Sequence, residues 1–208
     1  MENIVIKDLS EFGGVFDFKY SDSIFKDIEI DLLGEYQIYN ATLALYTLLM
    51  LRNRGLIDIT DYEIKNGLKK TRWKGRLEVL KREPTFLIDG AHNLQGVKTL
   101  VETLKMFKYR RLILGTGILK DKDVEHMVEL LAPQADEIVI TQVNMPRKME
   151  AENLEEIIKK YNKNTFIEKD IRNAIDKTYE LANKEDLIVF AGSLYLIGDV
   201  RKILLKDN

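Results

Sequence analysis

The chain contains no cysteine, so it has neither a disulfide framework nor a thiolate zinc site, and a cytoplasmic location fits. Neither sign of charge is in excess: 32 Lys and Arg stand against 34 Asp and Glu, a net of −2. That balance lacks the basic footprint of a nucleic-acid binder. No apolar run approaches the roughly 18 residues needed to span a bilayer, so no membrane partner is expected. Met1-Glu2-Asn3-Ile4-Val5 lacks the basic and long apolar regions of a signal peptide. The phosphate-cradling pattern Gly-x-x-x-x-Gly-Lys-Ser/Thr is also missing. Lys98-Thr99 follows Val97 rather than glycine, and position 92 is histidine. Any ATP bound here must find its phosphate cradle elsewhere.

What is present is ordinary for a globular protein: 208 residues, 45% hydrophobic and 32% charged, enough for one or two domains. Residues 2–7, 14–20 and 25–32 alternate apolar and polar side chains, the pattern of half-buried strands, with turns at Gly13-Gly14 and Ser21-Asp22-Ser23. The period then becomes helical through Tyr39, Leu43, Tyr46, Leu49 and Met50, and Gly55 is a plausible C′ residue. A second helix starts at Thr60, whose partner Glu63 completes a capping box.

From Leu77 the character changes. Strands at 77–81 and 85–88 are joined by a turn at Glu83-Pro84. Helices near 94–107, 124–131, 151–160, 171–182 and 195–204 then alternate with strands at 111–114, 137–140, 165–167 and 187–190. Alternation of this kind predicts an α/β fold, a Rossmann-like, mostly parallel sheet with helices on both faces. The expected boundary lies near Trp73-Lys74-Gly75, dividing domains 1–74 and 75–208. The first, with three strands and two helices, is small for independent stability and reads as the closing part of a larger domain.

In open parallel sheets ligands bind outside the carboxyl ends of the strands. Four of those ends carry small or polar residues: Asp89-Gly90-Ala91-His92-Asn93, Gly115-Thr116-Gly117, Thr141-Gln142-Val143-Asn144 and Ala191-Gly192-Ser193. Each has a plainer explanation. Asp89 and Asn93 suit helix capping, the predicted helix places Asn40 before its start where it could cap it, and lysines in a charged loop are usually solvated. His92 is of a residue type that suits proton transfer or phosphate contact. His126, within Glu-His-Met-Val-Glu-Leu-Leu, reads as solvent-face filler. Gly115-Thr116-Gly117 lacks the third glycine of a dinucleotide fingerprint.

Taken together, four stretches resemble folylpolyglutamate synthases and the bifunctional dihydrofolate synthases of the Mur ligase superfamily. They are LLGEYQIYNATLAL (32–45), GRLEVL (75–80) with LIDGAHN (87–93), GILKDKD (117–123) and AGSLYLIGDV (191–200), in the expected order. The resemblance implies ATP-dependent attachment of L-glutamate to a folate: the substrate carboxylate is phosphorylated, and the glutamate amine then displaces phosphate. Some members also use dihydropteroate. Carried over residue by residue, it implies ATP contacts from Asn40, Arg76 and Asp89, with Asp89 towards the ribose. It puts His92 and Ser193 on the phosphoryl and glutamate side as the catalytic pair. Gln37, Asn93, Lys120 and Lys122 are further candidates. Tyr36 stands where the family commonly has histidine, and Leu94-Gln95 replace its Pro-His.

The resemblance also implies ATP and Mg2+ as cofactors, with the metal ligands, a modified lysine and most of the folate pocket in an N-terminal portion preceding this stretch. The chain is therefore expected to be a C-terminal fragment, inactive alone and exposing apolar surface that favours self-association over a clean monomer. Two alternatives are another Mur-type amino-acid ligase and a non-catalytic nucleotide- or amino-acid-binding module.

Overall fold

The computed structural model describes residues 3–21 and 23–206. Glu2 of the first predicted strand and Asp22 of the predicted turn lie outside the described residues. The chain divides into two compact units, Met1–Lys74 and Gly75–Asn208. Among the described residues no helix is long and apolar enough to cross a membrane.

In the first unit, β1 (Ile4–Ser10), β2 (Gly13–Tyr20) and β3 (Ser23–Ile30) form an antiparallel meander in that order. β3 ends two residues earlier than its sequence pattern predicts, because its ladder runs from the Tyr20–Ser23 pair to the Gly14–Ile30 pair and stops there. Phe16, Phe18, Phe25, Ile28 and Ile30 supply the sheet side of a small core. Ile38, Ala41, Leu45 and Leu49 of α1 (Glu35–Asn53) and Ile64 of α2 (Asp61–Lys70) supply the helix side. α1 closes in a Schellman motif: Gly55, at φ +69°, donates its N–H to Arg52, and Leu56 donates to Leu51. α2 opens with the expected capping box, in which Thr60 Oγ1 accepts from Glu63 N and Glu63 Oε2 accepts from Thr60 N.

α1 corrects one expectation. The helix begins at Glu35, directly after Gly34 at φ +98°, so Asn40 is inside it rather than before it and does not cap it. The pairing of Glu35 with Tyr39, whose hydroxyl donates to Glu35 Oε1 at 2.8 Å, spans the turn that the apolar periodicity left out.

The second unit is a six-stranded sheet. Its strands are β4 (Glu78–Lys81), β5 (Thr85–Ile88), β6 (Leu112–Thr116), β7 (Glu137–Ile140), β8 (Thr165–Ile167) and β9 (Leu187–Ala191), in the order β4-β5-β9-β6-β7-β8. Only β4 runs antiparallel, as the edge partner of β5; the other pairs are parallel. β4 starts one residue later than expected, because Leu77 sits at φ +45° and turns its N–H out of the ladder.

The crossovers through α3 (Leu94–Leu104), α4 (Val124–Leu131) and α5 (Ala151–Ile158) all step in one direction along the sheet. The return from β8 to β9 through α6 (Ile171–Leu181) steps back. Right-handed crossovers therefore put α6 on the opposite face, with α7 (Leu194–Lys206) packed beside it. Phe86, Ile88, Ile113, Val139, Ile188 and Phe190 share one core with Ile175, Leu196 and Val200 of those two helices. The alternate strand residues, such as Leu87, Leu114, Ile138 and Val189, are equally buried and face the other way. Gly115 exists for this packing. Phe86 and Phe190 stack at 5.3 Å between ring centroids, and a Cβ at position 115 would lie 2.4 Å from the Phe190 ring. That accounts for its place in Gly115-Thr116-Gly117 without any nucleotide.

Candidate functional site at the carboxyl edge

The parallel strands deliver their carboxyl ends to one edge, and backbone hydrogen bonds stitch the turns there together. Asp89 N–H donates to Phe190 O at 3.0 Å, Gly192 N–H donates to Ala91 O at 3.0 Å, and Gly90 N–H donates to Gly75 O at 2.8 Å. Thr116 Oγ1 donates to Ala191 O at 2.9 Å, and Thr141 N–H donates to Thr116 O at 2.8 Å. Gly192 has φ +117°, and a Cβ there would reach 2.9 Å from Thr116 Oγ1, so glycine is what lets these turns close up. The Ala91–Gly192 bond is decisive for the site, because the next residue on each side is His92 and Ser193.

Asp89 is almost fully buried. Its Oδ2 accepts from Leu77 N and its Oδ1 from Ala91 N, both at 2.9 Å. It thereby locks the turn before β4 to the turn after β5. Burial pushes its pKa above the ordinary aspartate value, while those two amides and the charges of Arg76 and His92 pull the other way. Each Asp89 oxygen keeps a second lone pair, so the lock leaves acceptor capacity. Half-buried Arg76 belongs to the same turn.

The half-buried His92 places Nδ1 2.8 Å from Gly90 O. A carbonyl only accepts, so Nδ1 carries the hydrogen and Nε2 is the basic nitrogen of the neutral ring. Asn93 caps α3: its Oδ1 accepts from Gly96 N at 2.8 Å. Ser193 is buried and serves α7 in the same way, its Oγ accepting from Tyr195 N at 3.2 Å. The Ser193 hydroxyl hydrogen remains available to donate.

The remaining candidates make other contacts. Gln37, buried in the first unit, accepts a hydrogen bond from Asn40 Nδ2 at 3.0 Å. Lys120 and Lys122 ride a loop after β6 whose backbone is tied to the loop after β7 through Lys120 N to Arg147 O and Met149 N to Ile118 O. Arg147 also grips Asp121 at 2.7 Å. No hydrogen bond or ion pair among the described residues joins Lys120 or Lys122 to Asp89, His92 or Ser193. His126 is exposed on α4 and pairs with Asp123 at 2.7 Å, as expected of a surface histidine. Sequence reading missed the partner of Asp89, since nothing in Leu77 itself marks its amide as a donor. The left-handed φ of that residue is visible only in the fold. Among the described residues no group of three or more His, Cys, Asp and Glu comes together as a metal cluster.

The sequence profile described as "Mur ligase, glutamate ligase domain" matches residues 75–194. The chain belongs to this family. Its Mur ligase domain and the preceding unit are together 32% identical over 193 residues to the dihydrofolate synthase/folylpolyglutamate synthase of Bacillus subtilis, covering 92% of this chain and 44% of that protein. A Mycobacterium tuberculosis folylpolyglutamate synthase complexed with ADP superposes with a TM-score of 0.85 at 27% identity, over 97% of this chain and 48% of that one. That similarity bears out the α/β, mostly parallel architecture. A UDP-N-acetylmuramoyl-L-alanyl-D-glutamate–2,6-diaminopimelate ligase of Clostridium perfringens is 29% identical over 92% of this chain and 39% of its own length. The chain thus spans under half the length of the relatives it matches.

Proposed function

We propose that the Mur ligase domain forms the glutamate side of an ATP-dependent ligase that adds L-glutamate to a tetrahydrofolate already carrying glutamate, with dihydropteroate as a second acceptor. The reading rests on the Ala91–Gly192 hydrogen bond, which joins the turn carrying His92 to the turn carrying Ser193, within a family of glutamate ligase domains. The acceptor carboxylate takes the γ-phosphoryl group of ATP, releasing ADP. The glutamate amine then attacks that carbonyl, phosphate leaves, and the amine loses a proton.

His92 Nε2 faces the phosphoryl and amine chemistry as a proton acceptor. The Ser193 hydroxyl donates to a carboxylate of the incoming glutamate. Arg76 suits phosphate through its planar fork, and Asp89 suits ribose hydroxyls with its spare lone pairs. In this reading Asn40, whose Nδ2 donates to Gln37 Oε1, is by itself a nucleotide contact on the first unit. Lys120 and Lys122 supply positive charge on the glutamate side. Phosphoryl transfer calls for a divalent cation, Mg2+ here, that neutralises charge on the phosphates. With no carboxylate cluster among the described residues, its ligands and the phosphate-cradling loop are assigned to a polypeptide segment outside these 208 residues. The same reading expects no turnover by the chain alone, a cytoplasmic setting, and self-association through uncovered apolar surface.

The test joins this chain to the N-terminal half of the B. subtilis relative and follows incorporation of labelled L-glutamate into tetrahydrofolate with ATP. Incorporation that is lost in His92→Ala and Ser193→Ala supports the proposal. A folded fusion that incorporates nothing, or turnover by the 208-residue chain alone, overturns it. The similarity to the diaminopimelate ligase favours a second reading, another Mur-type ligase. Preference for diaminopimelate and a UDP-sugar peptide in the same fusion would establish that instead, and ligand binding without turnover in any fusion would point to a non-catalytic module.

A further inference from the structure

Arg76 stands between two buried residues with left-handed backbones, Gly75 at φ +72° and Leu77 at φ +45°. That conformation is unfavourable for leucine and persists only where surrounding bonds over-determine it. Two such bonds are Gly90 N–H to Gly75 O and Leu77 N–H to Asp89 Oδ2. A third comes from Glu78, whose Oε2 accepts from Gly75 N at 2.7 Å. We propose that Glu78, clamped by Arg201, is a positioning residue of the ligase: it fixes the backbone from Gly75 to Leu77 and thereby the place of the Arg76 guanidinium. The inference rests on the ligase reading above, in which Arg76 meets nucleotide phosphate.

A glutamate paired with an arginine near a surface usually contributes little. Glu78 does more than pair. It stands opposite Ile88 in the antiparallel ladder of β4 and β5, and so shares the sheet face that Ile88 and α7 build. Arg201 of α7 donates from Nε to both Glu78 oxygens, at 3.0 and 3.1 Å, and both residues are half-buried. The carboxylate is therefore oriented in advance for the Gly75 amide, and a charged acceptor makes that bond a strong one. Gly75 is buried, so removing the acceptor leaves a buried donor unsatisfied.

α7 ties this turn to the rest of the site. Ser193, Ile197 and Arg201 follow at four-residue intervals along one stripe of the helix. Ser193 caps it. Ile197 lies against Gly75, where a Cβ would come within 2.8 Å of its Cδ1. Arg201 holds Glu78. One helix stripe thus registers the Arg76 turn against the turn that carries Ser193.

The test follows the full 208-residue chain, alone and in the fusion with the N-terminal half of the B. subtilis relative. In the chain alone, Glu78→Ala should speed hydrogen exchange at the Gly75 amide and leave the β6 and β9 amides protected. Glu78→Gln should keep the Gly75 amide protected, because a single amide oxygen has lone pairs for both Gly75 and Arg201. In the fusion, Glu78→Ala should raise KM for ATP on the order of tenfold and leave KM for L-glutamate unchanged, and Glu78→Gln should restore it. A merely structural role would lower kcat through loss of folded enzyme and leave both KM values alone. Arg201→Ala should act in the same direction, and the double variant should be no worse than Glu78→Ala, since Arg201 works through Glu78. If Glu78→Ala does not fold, Arg201→Ala carries the same comparison. Unchanged exchange at Gly75, a native KM for ATP in the alanine variants, an equal rise in both KM values, or no rescue by Glu78→Gln overturns the proposal and leaves the ligase reading intact. A native fusion that incorporates no glutamate overturns the ligase reading, and this proposal with it.

Discussion

The two units bury their strands differently. In the second, β6 and β9 are buried at every position; in the first, β3 hides only Phe25, Ile28 and Ile30. A parallel sheet covered by helices on both sides reads as a continuous apolar run, and a sheet with one solvated face alternates. Their helices differ as well. α3 to α6 each turn an apolar stripe inward, whereas α1 is apolar around its circumference. Its inner face buries Ile38, Leu45 and Leu49, while Tyr39, Leu43 and Tyr46 stand exposed on the outer face. Burial pattern therefore reports how many layers cover an element, and α1 carries more apolar surface than its own unit covers.

The largest effect should come from emptying either core. Phe190→Ala is expected to destabilise by about 3–5 kcal/mol and Leu45→Ala by about 2–5 kcal/mol, since both side chains are fully buried. Urea titration gives the magnitudes, and hydrogen exchange should place each loss of protection in the strands of its own unit. Protection lost equally across residues 3–206 in either variant would break the distinction between the units. Filling the space beneath Phe190 should cost less. Gly115→Ala forces that ring to shift and should lower stability by about 1–3 kcal/mol, and a neutral result would show that the Phe86–Phe190 stack yields easily.

On the outer face of α1, Leu43→Lys should change stability by less than about 0.5 kcal/mol. It should reduce concentration-dependent association in sedimentation velocity, and unchanged association would leave that face inert. The smallest effect concerns His126. Its hydrogen bond to Asp123 raises its pKa above the ordinary 6.5, reinforced by the charges of Glu129 and Glu125. A raised histidine pKa stabilises the fold fully below the unfolded value and loses that stabilisation as pH climbs through the folded one. The unfolding midpoint of the native chain, relative to His126→Gln, should therefore fall slightly as pH rises from 6.5, and a gap independent of pH would contradict the pairing.

Much of the architecture could be read in advance because its signals are local. Thr60 with Glu63 marks a helix start three residues apart, Gly55 marks a helix end, and Leu-Ile-Val-Phe at 187–190 can hardly be anything but a buried strand. The start of α1 escaped because Glu35 to Ile38 contain too few apolar residues to show a period, so Asn40 was misplaced outside the helix. Asn93 could be read either as a ligand or as a cap, and the geometry makes it a cap. Ser193 suits chemistry by its residue type and also caps α7, its Oγ accepting from Tyr195 N, a use that shows only once the helix start is known.

By itself, the sequence determined where strands and helices alternate and that small and polar residues gather at the strand ends, because side-chain periodicity and turn chemistry act over a few residues. Tertiary structure alone decided that β9 inserts between β5 and β6, that Ala91 and Gly192 meet, and that Leu77 holds Asp89. It also brought Arg201 of α7 to Glu78 of β4. Strand order and such long-range contacts depend on which crossovers the helices can make while covering both faces of the sheet, and no short window of sequence contains that information.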